Sequence, residues 1–159
     1  MNYSFDSTLT SSSKFIQEDY FPIIIEFSNE ELNNLFLEFN YKDSDMFELS
    51  VDAQTFDLKR FTLTLCNHYV LKEDYVLTIP KYQEGLLHIT GPTSTECTHF
   101  EVIVYRDGVE IKTSSIDASH YLKYGQLIFA LTESDDIASI LITDLTEDNI
   151  NHVITELTI

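Results

Sequence analysis

Two short motifs carry the residue types from which chemistry could be built, Cys66-Asn67-His68 and Cys97-Thr98-His99. On a β-strand, residues two apart share a face, so each motif could offer a thiolate beside an imidazole. Two such pairs brought together would make a Cys2His2 tetrahedral set of the kind that holds Zn2+. The spacing is not that of a zinc knuckle, whose cysteines stand about two to four residues apart. Cys66 also continues a strand, where cysteine commonly serves as a small buried hydrophobe. Cys66, His68, Cys97 and His99 are therefore weak metal candidates, and no cofactor is expected. A Cys66–Cys97 bridge is open only to a protein that meets an oxidising environment.

Other chemistry is thinner still. His88, His120 and His152 lie in polar or alternating contexts with no readable triad around them, which predicts surface or locally hydrogen-bonded rings. Asp43 with Asp45, and Glu133 with Asp135 and Asp136, could present oxygen ligands to Ca2+. Neither cluster has the glycine that turns a calcium loop, so solvated loops are the plainer expectation. Gly85, Gly91, Gly108 and Gly125 are each isolated, which excludes a P-loop and a dinucleotide fingerprint. Neither HExxH nor GxSxG occurs. No catalytic residue is assigned.

Charge narrows the partners. Twenty-seven acidic residues against nine Lys and Arg give a net charge of −18 over 159 residues. A nucleic-acid backbone or an anionic membrane would be repelled by such a surface. Solubility, a basic protein partner and multivalent cations remain. No apolar run approaches the about 20 residues of a membrane-spanning helix. No basic residue precedes Lys14 and no hydrophobic stretch follows it, unlike a secretory signal. The expectation is a soluble protein of a reducing cytoplasm.

The elements that would position these residues read as strands. The run 100–113 holds two β-rich segments around Asp107-Gly108, a pair suited to a two-residue type I′ turn. That register sets Tyr105 opposite Glu110 and Val104 opposite Ile111. One face then carries Val102, Val104, Val109 and Ile111, the other Glu101, Ile103, Tyr105 and Lys112. Further strands are expected at 21–27, 35–41, 46–51, 60–66, 75–79, 86–90, 126–131 and 137–143. In 60–66, Phe61, Leu63 and Leu65 should face inward. Ser28 with Glu31 matches a capping box, Asp117 could open a helical turn, and Val153, Thr155, Leu157 and Ile159 alternate as a final strand.

Closely spaced short strands with turn signals between them predict an all-β fold. It should be an antiparallel β-sandwich or barrel of roughly 8–10 strands, with at most one or two short helical turns. Residues 1–14 read as a polar N-terminal arm and 15–159 as a single β domain.

With no catalytic signature, the expected function is a non-enzymatic structural or protein-interaction module of a larger assembly, such as a virion or appendage component. It would bind protein partners, foremost copies of itself or other subunits, through its arm and β edges. The interface residues expected are Tyr3, Phe5, Phe15, Ile103 and Tyr105. Tyr121 and Tyr124 could either meet a partner or close a loop over the sandwich. The alternatives are an acidic inhibitor or immunity protein that neutralises a basic toxin, and a β-scaffold enzyme or metal-binding protein.

Overall fold

The computed structural model describes residues 1–7, 12–27 and 33–159. In chain order these residues form β1 (Asn2–Asp6), β2 (Lys14–Phe15), β3 (Ile23–Glu26), β4 (Asn34–Tyr41) and β5 (Asp45–Asp52). There follow β6 (Leu58–Leu65), β7 (Tyr69–Lys72), β8 (Gln83–Glu84), β9 (Leu86–Thr90) and β10 (Ser94–Glu96). The last elements are β11 (Glu101–Tyr105), β12 (Val109–Lys112), β13 (His120–Tyr124), β14 (Leu127–Leu131), β15 (Ile137–Ile142) and the helix α1 (Glu147–Leu157). The capping box expected at Ser28 and Glu31 lies outside the described residues.

The strands make a six-stranded sheet in the order β10-β4-β5-β6-β3-β2, a seven-stranded sheet in the order β7-β11-β12-β15-β14-β13-β8, and a pair, β1-β9. This is the expected sandwich-like all-β fold, but the described residues form fifteen strands rather than 8–10, and a helix of 11 residues rather than one or two turns. The sheets are also mixed rather than purely antiparallel, because β10, β7 and β8 add in parallel to β4, β11 and β13. These additions are two to four residues long, too short to show a period in the sequence.

One core joins the sheets. Phe47, Leu49, Phe61 and Leu63 of the six-stranded sheet share it with Val102, Val104, Ile111 and Phe129 of the seven-stranded sheet. Leu87 and Ile89 of β9 belong to it as well. Phe39 stacks on Phe47 at 4.7 Å between ring centroids. Burial of each such side chain is worth about 1.5–3 kcal/mol, which makes this core the main stabilising term.

Several local expectations give way to tertiary context. Leu65 is exposed rather than inward. Phe47 pairs with Leu63 but Met46 with Leu65, so a bulge at Thr64 puts Leu65 on the outward face of Met46. The tail is a helix and not a strand. Thr146 Oγ1 accepts the Asn149 N–H, while Asn149 Oδ1 accepts the Thr146 N–H, both at 3.1 Å. Glu147 and Asp148 stand in the first turn, where the helix dipole favours acids. Ile150, Val153 and Leu157 then reach the core at helical spacing. No helical turn forms at Asp117, and the strand β13 begins at His120.

The central hairpin forms with its two faces as expected but with a different tip. Val104 pairs with Val109 and Ile103 with Glu110, two residues out of the expected register. Because the slip is two, no side chain changes face. Neither Asp107 nor Gly108 has positive φ, so the type I′ turn is not used. The reason lies in residues 75–79, which form no strand. They lie on the hairpin tip instead: the Arg106 N–H donates to Tyr75 O at 2.8 Å, and the Leu77 N–H to Asp107 Oδ1 at 2.9 Å. A Cβ on Gly108 would stand 2.7 Å from both Ile142 O and the Leu77 side chain. Gly108 is thus a close-approach glycine. The segment 73–82 becomes a strap from β7, one margin of the seven-stranded sheet, to β8, the other. Its Leu77 packs on Ile128 and Leu141 of the outer face.

Candidate functional site

The two Cys-X-His motifs do not assemble into a metal site. Among the described residues, no group of three or more His, Cys, Asp and Glu could hold a metal ion. His68 is engaged by Asp45, whose fully buried carboxylate lies 2.6 Å from its Nδ1. The same carboxylate accepts the Asn67 N–H at 2.7 Å, the His68 N–H at 3.1 Å and the Ser44 hydroxyl at 2.7 Å. Burial alone would push Asp45 up; these donors outweigh it and hold its carboxyl below the usual aspartate value. Burial, with the Asp45 charge, pushes the Cys66 thiol up to about 12, and burial pushes Cys97 to about 11. Both are free cysteines, and as neutral thiols they are poor ligands and nucleophiles. Asp45 works as a clamp on Asn67 and His68, where the chain leaves β6 for β7.

His88, His152 and His120 are tied locally. His88 Nδ1 lies 2.8 Å from Asp57, and His152 Nε2 lies 3.0 Å from Phe21 O. His120 meets Tyr3 Oη at 3.0 Å, the Ser119 hydroxyl at 2.8 Å and Asp135 at 3.4 Å. Asp135 thus meets His120, and Asp136 lies 3.9 Å from the Met1 ammonium.

The residues expected at an interface divide. Tyr3, Phe5 and Phe15 pack against the core of their own chain. β1 pairs with β9 along its whole length, and a Cβ on Gly85 would sit 2.3 Å from Asp6 O, so β1 lies directly on that glycine. Ile103 is buried, and Tyr105 packs beside Leu77, Ile128 and Leu141. Burial, then Glu110 and Glu101, pushes the Tyr105 hydroxyl up. Tyr124 is buried with its hydroxyl donating to Leu58 O at 3.0 Å, which makes it part of the core.

The margin at β7 stays open. All four of its residues are exposed, Tyr69, Val70 and Leu71 by 36%, 38% and 37%. The Val102 N–H donates to His68 O at 2.9 Å. In a parallel ladder the bonding residues alternate, so Val70 and Lys72 also turn to β11 while the amides of Tyr69 and Leu71 point away from the sheet. The strap that follows exposes Tyr75 by 65% and Val76 by 51%. The margins at β8, β10 and β2 are short and more polar, Gln83-Glu84, Ser94-Thr95-Glu96 and Lys14-Phe15, while β4, which β10 covers only at 38–40, also exposes Leu35 and Phe36. One sequence signal was there to be read. Tyr69-Val70-Leu71 recurs six residues on as Tyr75-Val76-Leu77, and the two copies become the margin strand and the strap.

A second feature lies on the outer face of the same sheet, at the end away from the strap. It is a groove of about 410 Å3 lined by Glu110, Lys112, Tyr121, Ser139, the loop 114–118 and His99. Pairing brings Lys112 opposite Ser139, Ser139 opposite Ala130, and Ala130 opposite Tyr121. A register shift in β14–β15 leaves Ala138 out of the ladder, and Ala138 lines the groove beside Ser139.

No model of a known protein family matches this chain, and no curated protein matches it in sequence.

Proposed function

We infer that the protein is a non-enzymatic interaction module of a larger assembly, and that β7 is its contact strand. The observation that carries this reading is the exposed apolar margin Tyr69-Val70-Leu71. Sheet margins in soluble proteins are blunted with charge, proline, bulges or a covering segment, because an open row of amides and carbonyls recruits another strand. β7 has none of these before Lys72. A neighbour adding a strand there would satisfy the outward amides of Tyr69 and Leu71 and cover three apolar side chains. The first neighbour we assign is a second copy of the chain, adding β7 to β7 across a twofold axis. The −18 charge opposes such pairing over long range, but at physiological salt it is screened beyond about 8 Å. The N-terminal segment was the other expected contact; what it would add to a neighbour, β1 adds to β9 of its own chain, so the contact is assigned to β7. Sedimentation across a concentration series tests this. A mass that rises above 18.4 kDa with concentration supports it, and a constant monomer mass rejects pairing between copies.

The net charge supports a second reading, an acidic inhibitor of a basic protein. Its signature would be a partner whose binding falls steeply with salt.

A further inference from the structure

The groove on the outer face has no part in the contact at β7, and among the described residues several of its polar side chains have no partner within the protein. Lys112 stands directly across from Glu101 and two residues from Glu110. Opposite charges so placed on a sheet face normally pair. Yet among the described residues the side chains of Lys112, Glu110, Tyr121, Ser139, Asp117 and His99 make no hydrogen bond or ion pair with the protein. All six residues line the groove, whose volume of about 410 Å3 falls in the range of small-molecule sites.

The lining selects the ligand by elimination. An anion would meet one lysine flanked by Glu110 and Asp117, in a chain of net charge −18. An organic cation would meet the ammonium of Lys112, which lines the groove. A large apolar ligand would strip water from two carboxylates, an ammonium and several hydroxyls without replacing their hydrogen bonds, a costly exchange. A neutral polyhydroxyl compound fits each requirement. Its hydroxyls donate to the carboxylates and accept from Lys112, Tyr121 and Ser139. Tyr121 packs on the apolar cluster of Leu77, Ile128 and Leu141, which backs its ring and lets it offer a firm apolar surface to the C–H side of a sugar. We propose that this groove binds a neutral saccharide of one or two rings, held between Lys112 and Tyr121 across the strand register.

The test is a glycan microarray probed with labelled wild-type protein, Lys112→Met, Tyr121→Ala and Leu71→Pro. The wild type binds a subset of neutral glycans. Lys112→Met and Tyr121→Ala each lose about tenfold or more of that signal, the scale of one hydrogen bond to a charged group. Leu71→Pro binds as the wild type does, which separates this site from the contact at β7. Thermal unfolding of each variant confirms that a lost signal is not a lost fold. Binding to acidic glycans alone, to none, or with equal strength after both groove substitutions overturns the proposal.

Discussion

β1 and β7 are both short strands at a margin of the sandwich, and the chain treats them in opposite ways. Around β1 every device for holding a strand is present. Gly85 clears its backbone path, Tyr3 and Phe5 turn into the core, and His120 meets the Tyr3 hydroxyl. Around β7 the devices all sit on one side. Asp45 clamps Asn67 and His68 just before it and β11 takes its inward amides and carbonyls, while the other side meets solvent with three apolar residues in a row. A segment that looks like an arm in sequence is therefore finished within its own chain. A strand that no sequence pattern announces is left half-paired. Contact surfaces are better sought where pairing stops than where the composition turns polar.

Substitutions should act differently on the two strands, with the largest effect at β7. Leu71→Pro removes an outward amide without costing a bond to β11, so it should abolish association while circular dichroism and the melting curve stay near wild type. If association survives, the contact lies elsewhere. Next comes the clamp behind β7. Asp45→Asn should cost about 3 kcal/mol in denaturant unfolding at neutral pH, because a carboxylate with several donors is replaced by a group that cannot accept them all.

The pH dependence of that loss has a definite sign. The folded Asp45 carboxyl titrates below its ordinary value, so its stabilisation is full above about pH 4 and disappears as pH falls through the folded value. The gap between wild type and Asp45→Asn should accordingly close in acid. A gap that stays constant with pH would remove the charge from the explanation.

On the β1 side the expected effects are on stability and not on mass. Phe5→Ala should cost about 2 kcal/mol, less than a fully buried phenylalanine, and leave the sedimenting species unchanged. Tyr3→Phe, which removes only the hydroxyl at His120, should cost about 1 kcal/mol. A change in mass with either substitution would return the N-terminal segment to the interface.

Much of this contrast was hidden in the sequence, for identifiable reasons. The faces of the 100–113 hairpin were legible because a two-residue slip preserves parity, so Val102, Val104, Val109 and Ile111 reach the core in either register. Leu65 was not, since the bulge that turns it outward depends on how β5 pairs with β6. The tail misled because Val153 and Leu157 satisfy a strand period and a helix period alike. The Thr146–Asn149 box and Ile150 decide between them. β7 is too short for any period and owes its state to where it falls in the sheet. The groove is less visible still, because Lys112, Ser139 and Tyr121 become neighbours only through pairing across four strands.

The exposed margin of β7 is the proposed junction between this chain and its neighbours. Analytical ultracentrifugation of the wild type, Leu71→Pro and Glu84→Pro at one high concentration tests it most directly. Glu84→Pro makes the same kind of change at the opposite margin, β8, since Gly85 and not Glu84 donates its N–H to Lys123 of β13. The wild type and Glu84→Pro should sediment together as a species heavier than 18.4 kDa, and Leu71→Pro as the monomer. Equal masses for all three proteins would contradict the account.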